Sequence, residues 1–484
     1  MIKSTKMIAT ISDKKCDVPF LQQIIDEGVD VVRMNSAHLT KEGYHKIVSN
    51  VRAVSNKVAL LVDTKGAEVR STTLEGEESV MLRSGMPIDI IADPDVKSSA
   101  TQLSVNYRNF VHDVPVNTRI LIDDGELELM VVSKSENVLH CTILNDGVLG
   151  SRKSINVPGV RIDLPAVSEQ DKRAIKYAVD MGLDFIAHSF VRGREDIKAV
   201  EEVLRECGGE DIKIISKIEN QEGIDNIDDI IDASYGIMIA RGDLGIELDM
   251  EKIPAVQNHI IHKCILKKKP VIVCTQMLHS MISNPRPTRA EVSDVAGAIF
   301  SGTDAVMLSG ETAYGKYPVE AVRTMRKIIR EAEKNKSDRT NFKPNKGEDD
   351  VVDITSYLAK YTVKSIDKLG VKAIINDAAS GKTARNLSAY RGKAPIFALC
   401  KDARLARQLA LSYGVFPRLN AANQKHRSYY AESLQILLNE GILQPTDMVA
   451  YVGGTLTHEV GTTSLDLNRV QEAIDFYKEN ERGE

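Results

Sequence analysis

The chain has 484 residues, 43 % apolar and 27 % charged, with a formal net charge of −5. That balance suits a soluble globular protein of two to four domains and offers no basic surplus for nucleic acid. No apolar run approaches the ~20 residues that span a bilayer, the first fifteen residues lack the apolar core of a signal peptide, and six scattered cysteines form no C-x-x-C, which fits reduced thiols in the cytoplasm.

The chain opens with β-branched runs, KMIATIS (6–12), VDVVRMN (29–35) and KVALLVDTK (57–65), alternating with amphipathic helical stretches. From about 71 to 166 the texture changes. Short alternating runs such as TRILIDDGELELMVVS and VLHCTILNDGVLG read as antiparallel strands with turns. The first rhythm then resumes with DFIAHSF (184–190), IKIISKIE (212–219), GIMIARGD (236–243), PVIVCTQ (270–276) and DAVMLSGE (304–311). Eight alternating units predict a (β/α)8 TIM barrel, residues 1–70 and 167–335, with a β domain inserted at 71–166. Residues 336–350 fall in a charged, apolar-poor stretch that reads as a linker. Residues 351–484 read as a C-terminal α/β domain, with strands in VKAIIND, KAPIFALC and DMVAYVGG and a last helix over LNRVQEAIDFYKENE.

Nearly every barrel strand ends on polar residues, and barrel enzymes build their sites from those ends. Lys217 and Glu219 are two apart on one strand, so both aim the same way, ~7 Å from each other. Glu219 and Asp243 end adjacent strands. Two carboxylates with open positions suit Mg2+ or Mn2+. Lys217, Arg33 and Arg241 beside a hard metal make a place for a phosphoryl group. The bland alternative is a buried ion-pair network, which yields little net stability. Glycines at 242 and 245 in ARGDLG are expected to form a tight turn that lets backbone approach a ligand. Cys274 is expected on the opposite side of its strand from Thr275, and His188 reads as a structural histidine.

The stretches VVRMNSAH, LVDTKGAEVR, IDDGELEL, VPGVRIDLPAVSEQD, SFVR, IISKIEN, IMIARGDLGIE, TQMLHSM, NPRPTRAEVSDVAGAI and AVMLSGETAYGKYP resemble those of the pyruvate kinases over most of the chain. The resemblance implies transfer of the phosphoryl group of phosphoenolpyruvate to ADP. It implies Arg33 and Lys217 on that group, Glu219 and Asp243 on Mg2+ (or Mn2+), and Ala240, Gly242, Asp243 and Thr275 around the substrate carboxylate. Thr275, Ser309 and Glu311 would lie on the proton route to the enolpyruvate carbon. Asn35, Asp63 and Thr64 would hold K+, and Arg70, His38 and Asp124 would meet the nucleotide. The inserted β barrel would close as a lid that excludes water. Ser380, Gly381, Lys382 and Thr383 resemble a sugar-phosphate effector loop, although a plain helix N-cap reads equally well there. Homotetramers are the family's usual assembly.

The chain also departs from the family pattern. Ala37 stands where the family has a serine that ligates K+, and Ser36 should face away, while Glu68 matches the K+-dependent members. TISDKK (10–15) replaces TIGPAS, placing Asp13 near the adenosine. Gln170 replaces a lysine near the phosphates, and His279 replaces a glutamate. Two other readings remain open on sequence. A barrel lyase or aldolase would share a metal between carboxylates but would need neither Lys217 nor a lid. A silent effector-binding regulator would not need Lys217, Glu219, Asp243 and Arg33 intact.

Overall fold

The computed structural model describes residues 3–76, 78–335, 353–419, 428–454 and 462–481, so the expected linker at 336–350 lies outside the described residues. Eight parallel strands close a barrel in sequential order: Lys6–Thr10, Val31–Asn35, Ala59–Asp63, Phe185–His188, Lys213–Ile218, Gly236–Ala240, Val271–Cys274 and Ala305–Leu308. The eighth pairs with the first through Lys6↔Ala305 to Ala9↔Leu308. Both strand faces are apolar because both are covered. Ile8, Val31, Leu61, Phe185, Ile215 and Met238 fill the barrel interior. Their sequence neighbours, such as Met7, Val32, Leu60, Ile186, Ile214 and Ile237, pack outward on the helices.

Seven of the eight strands stop short of their expected ends; Val31–Asn35 ends where expected. GIMIA ends at Ala240, because Arg241–Glu247 is already helical. PVIVC ends at Cys274, because Thr275 and Gln276 turn into left-handed backbone at φ +65° and +55°. Cys274 packs inside the barrel in step with Ile272, while Val271 and Val273 face the helices, which corrects the expectation of Cys274 on the outer side.

Between the third and fourth barrel strands the chain leaves to build a seven-stranded, mostly antiparallel sheet and a separate two-stranded ribbon. The sheet's edge strands, Val69–Arg70 and Gln102–Ser104, are joined by the single bridge Ser71↔Val105, so one residue pair closes this second barrel. It has its own core, including Ile90, Phe110, Ile122, Leu129 and Leu139.

The C-terminal sheet runs Val415–Leu419, Ile396–Cys400, Ala373–Ala378, Met448–Gly453, Ser464–Arg469, with only the last strand antiparallel. Residues 467–469 therefore belong to a strand, and the last helix begins at Val470, three residues after the expected start. The strand forms because Leu465 packs on the sheet's core.

The base of the barrel is sealed by this region. Leu411 enters the barrel's inner core. Arg391 donates to both oxygens of Asp304 at 2.6 and 3.1 Å, and that carboxylate also accepts from the Val271 and Tyr413 amides. Arg407 donates to Asp184 at 2.7 Å, and Asp184 accepts from Leu60 N–H as well. Both aspartates sit one residue ahead of a barrel strand, so each pin holds a strand start.

Candidate active site

The fifth strand, Lys213–Ile218, alternates strictly, so Ile215 points into the barrel and Lys217 follows it two residues later at the mouth. Glu219 comes next on the same side. Lys217 Nζ lies 2.9 Å from Glu219 Oε1, 3.1 Å from Asp63 Oδ1 and 2.7 Å from Ser189 Oγ. Asp63, the last residue of the third strand, takes Arg33 on its other oxygen, through Nε at 2.7 Å and NH2 at 2.5 Å. Arg33 also donates to Thr10 Oγ1 at 3.0 Å. Asp63 and Glu219 are 1 % exposed and the two cations 11 %. Two cations and two carboxylates thus share one buried cluster.

Burial alone would lift the Asp63 carboxyl, but Arg33 and Lys217 hold it below the usual carboxylate range. Burial pulls the Lys217 ammonium down, yet Asp63 and Glu219 outweigh it and hold its pKa above the ordinary lysine value. Glu219 behaves differently. Burial, helped by the facing Asp243, pushes it up to about 7 against the pull of Lys217. Asp243 is raised for the same leading reason, burial, with the Asp124 charge adding to it.

Glu219 Oε2 accepts from Phe190 N–H at 2.6 Å, while Oε1 is buried without a well-aligned hydrogen bond. Two buried, raised carboxylates facing each other, one with an oxygen that has an ammonium beside it but no aligned hydrogen bond, are the donor set of a hard divalent cation, and Glu219 and Asp243 fit one. Among the described residues no group of three or more His, Cys, Asp or Glu gathers into a closed metal site. Two protein oxygens leave the remaining positions to water and substrate.

Arg33, Asn35, Ala37, His38, Asp63, Thr64, Arg70, Lys217, Glu219 and Asp243 line one cavity of about 470 Å³. Ser36 does not line it and is buried, as expected. Asn35 Oδ1 accepts from Ala37 N–H, and the Thr64 carbonyl accepts from Ser189 Oγ at 2.6 Å. Asn35, Asp63 and Thr64 therefore offer three oxygens, and Ala37 offers none where a fourth would stand. A neighbouring cavity of about 750 Å³ runs up to the insert and is lined by both Asp124 and Asp243. Asp124 is held by Ser154 Oγ at 3.0 Å. Arg70 pairs with Glu68 at 2.7 Å, within reach of both cavities.

Other expected residues stand apart. Arg241 does not join the cationic cluster. Its guanidinium reaches Asp294 at 2.7 Å and the carbonyl of Thr275 at 2.8 Å, because the helix starting at Arg241 turns it toward the loop after the seventh strand. Gly242 and Gly245 form no tight turn. Both lie inside the helix Arg241–Glu247, and neither has a left-handed φ. Gly242 N–H instead donates to Thr275 Oγ1 at 2.7 Å. A β-branched residue at φ +65° is strained backbone of the kind found at functional sites. Ala240 ends its strand inside the barrel. Glu311 is buried and accepts from the amides of Leu278 and Ser309, at 3.1 and 2.7 Å. Thr275, Ser309 and Glu311 do not line the cavity around Lys217. Gln170 Nε2 lies 3.4 Å from the Ser36 carbonyl, and His279 is exposed. His188 is buried, and burial lowers its pKa to about 4. Ser380–Thr383 opens the helix Lys382–Ala389, with Thr383 bonded to the Thr462 hydroxyl.

Sequence reasoning places Ser189 among the polar strand ends without giving it a role, and it misses Asp171. Ser189 ties Lys217 to Thr64. Asp171 closes the capping box with Ser168 and also accepts from the Lys65 and Gly66 amides, fixing the loop after the third strand. The S-x-x-D spacing was the available signal for Asp171. For Ser189 the only signal was a hydroxyl at a strand end.

A family model described as the pyruvate kinase barrel domain matches residues 2–322, and one described as the pyruvate kinase alpha/beta domain matches 357–466. The chain belongs to the pyruvate kinase family. It is 46 % identical to a pyruvate kinase of Borreliella burgdorferi over 475 residues, covering 98 % of each chain. It is 40 % identical to one of Clostridium acetobutylicum over 468 residues, 96 % of this chain and 98 % of that one. A crystal structure of a pyruvate kinase from Cryptosporidium parvum superposes with a TM-score of 0.89 at 33 % identity, covering 97 % of this chain and 96 % of the other. The chain is thus a phosphotransferase: it moves the phosphoryl group of phosphoenolpyruvate to ADP, giving pyruvate and ATP, the last ATP-forming step of glycolysis. That excludes the lyase and silent-regulator readings.

Proposed function

We propose that the residues at the barrel mouth divide the work of pyruvate kinase catalysis as follows. Arg33 and Lys217 hold the transferring phosphoryl group from two sides and neutralise the charge that develops on its oxygens. The shared buried anchor Asp63 supports this, since it fixes both cations before substrate arrives. Glu219 and Asp243 hold Mg2+ or Mn2+, which when bound supplies further charge neutralisation at the phosphoryl oxygens. The observation that carries this assignment is the buried Glu219 carboxylate, whose Oε1 meets the Lys217 ammonium without an aligned hydrogen bond and which faces the raised Asp243. Backbone groups of Ala240, Gly242 and Asp243, with Thr275, seat the substrate carboxylate, supported by the Gly242–Thr275 hydrogen bond.

Thr275 and Ser309 lie on the route by which a proton reaches the enolpyruvate carbon, and Glu311 acts by holding the Ser309 amide in place. Arg70, His38 and Asp124 meet the nucleotide and its phosphates. Residues 71–166 act as the lid, and the cavity that Asp124 of the insert shares with Asp243 of the barrel supports this. Asn35, Asp63 and Thr64 hold K+, with one ligand fewer than the pattern with serine at 37. Ser380, Gly381, Lys382 and Thr383 take a sugar phosphate. Six free cysteines favour the cytoplasm, and no described helix is long and apolar enough to cross a membrane. An exposed stripe of Ile354, Tyr357 and Tyr361 favours assembly of copies into a homotetramer.

The deciding experiment follows pyruvate formed from phosphoenolpyruvate with ADP and Mg2+, with and without K+. ATP appearing in step with pyruvate is expected. Loss of Mg2+ binding in Glu219→Gln, read by calorimetry, tests the metal assignment apart from turnover.

A further inference from the structure

The loop that follows the fourth barrel strand grips both members of the Lys217–Glu219 pair. Ser189 Oγ accepts from the Lys217 ammonium at 2.7 Å, and the next amide, Phe190 N–H, donates to Glu219 Oε2 at 2.6 Å. Phe190 does so from left-handed backbone, φ +55°, an outlier for a bulky residue and of the kind that gathers at functional sites. Gly66 leaves room for this loop. A Cβ there would stand 2.6 Å from the Phe190 ring and 3.1 Å from the Ser189 Cβ.

A serine hydroxyl has one hydrogen to donate and two lone pairs. The Thr64 carbonyl lies 2.6 Å from Ser189 Oγ and Asp63 Oδ1 lies 3.3 Å away, so the hydrogen goes to Thr64. The Ser189 amide also donates to Thr64 Oγ1, at 3.0 Å. The serine is thereby fixed on the neighbouring strand end with a lone pair turned to Lys217. Three oxygens surround that ammonium, and they do different things. Glu219 Oε1 at 2.9 Å and Asp63 Oδ1 at 3.1 Å are ion-pair contacts, whereas Ser189 Oγ is aligned as a hydrogen bond. A lysine ammonium is a point charge with three rotatable donors on a flexible stem. Two carboxylates attract it, but the aligned bond sets its direction.

We infer that Ser189 is a positioning residue that aims Lys217 Nζ at the transferring phosphoryl group. The inference rests on the role proposed for Lys217. Asp63 and Glu219 keep the charge in place, and Ser189 decides where its hydrogens point.

The test is a double-mutant cycle on the full chain, read by kcat, phosphoenolpyruvate KM and thermal unfolding. Ser189→Ala should lower kcat about ten- to hundredfold, the worth of one hydrogen bond to a charged group, and move KM by less than about threefold. Ser189→Cys keeps nearly the same shape with a weakly bonding sulfur, so it should also lose kcat while keeping the wild-type melting temperature. In the Lys217→Met background Ser189→Ala should lower kcat no further, because the group it aims is gone. An additive loss there overturns the inference, since Ser189 would then act on the substrate or on the fold. Wild-type kcat in Ser189→Ala or in Ser189→Cys overturns it too. If Lys217→Met itself keeps kcat, the role proposed for Lys217 fails and this inference falls with it. If Lys217→Met loses kcat and Ser189→Ala does not, only this inference falls.

Discussion

Replacing Lys217 with Met keeps side-chain length and removes one charge and three donors. In the folded chain that ammonium contacts Ser189 Oγ at 2.7 Å, Glu219 at 2.9 Å and Asp63 at 3.1 Å. Asp63 keeps Arg33 and stays ionised, so the pocket retains its shape on that side. Glu219 loses its ion-pair partner. With a pKa already raised to about 7 it takes up a proton, which limits the stability cost to ~1–3 kcal/mol instead of the ~3–5 kcal/mol of a stranded buried charge. The transition state has no such escape. A pre-positioned cation on a transferring phosphoryl group is worth ~10³–10⁵ in kcat, or about 4–7 kcal/mol. Lys217→Met should therefore lose at least ~10³ in kcat while still unfolding cooperatively near the wild-type midpoint. Lys217→Arg should not rescue it, since a planar guanidinium cannot place one point charge among three oxygens. Coupled pyruvate detection gives kcat, and thermal unfolding gives the fold. A folded Lys217→Met protein within about tenfold of wild-type kcat would refute the assignment.

Ala37→Ser returns a hydroxyl to the cavity wall and should lower the K+ concentration for half-activation about three- to tenfold. An unchanged K+ titration would move the ion away from Asn35, Asp63 and Thr64. Thr275→Gly relieves the φ +65° strain but deletes the acceptor of Gly242 N–H, so the phosphoenolpyruvate KM should rise at near-constant stability, whereas Thr275→Ser keeps KM. Asp304→Asn leaves the buried Arg391 guanidinium without its anion and should cost about 3 kcal/mol or more in urea unfolding. Lys6 is buried with its Nζ 2.5 Å from the Val415 carbonyl, and burial lowers its pKa from 10.5 to about 8. The unfolded chain then binds more protons between those values, so stability should rise from pH 8 to about 10.5, by up to ~3 kcal/mol. Lys6→Met should flatten that rise, and equal pH profiles for both proteins would exclude it.

Local, repeated patterns made the barrel and the Lys217–Glu219 pair legible from sequence. Eight apolar runs at one rhythm fix the architecture, and a strict period of two fixes which way Lys217 and Glu219 face. The reading failed where backbone conformation breaks the period. Strand alternation continued through Thr275 would aim Thr275 inward and Cys274 outward, but the strand ends at Cys274, which faces inward in step with Ile272, and the left-handed Thr275 turns its hydroxyl to Gly242 N–H. Arg241 reads from sequence as a third cation at the mouth, but a helix beginning at that residue swings it to Asp294. Nothing in a one-dimensional pattern marks those two turns, because Thr and Arg are not turn residues.

The seam was invisible for a different reason. Asp304 meets Arg391 and Asp184 meets Arg407, partners 87 and 223 residues apart in the chain. A charged residue just ahead of a strand reads as an ordinary solvated cap until its partner arrives from another domain.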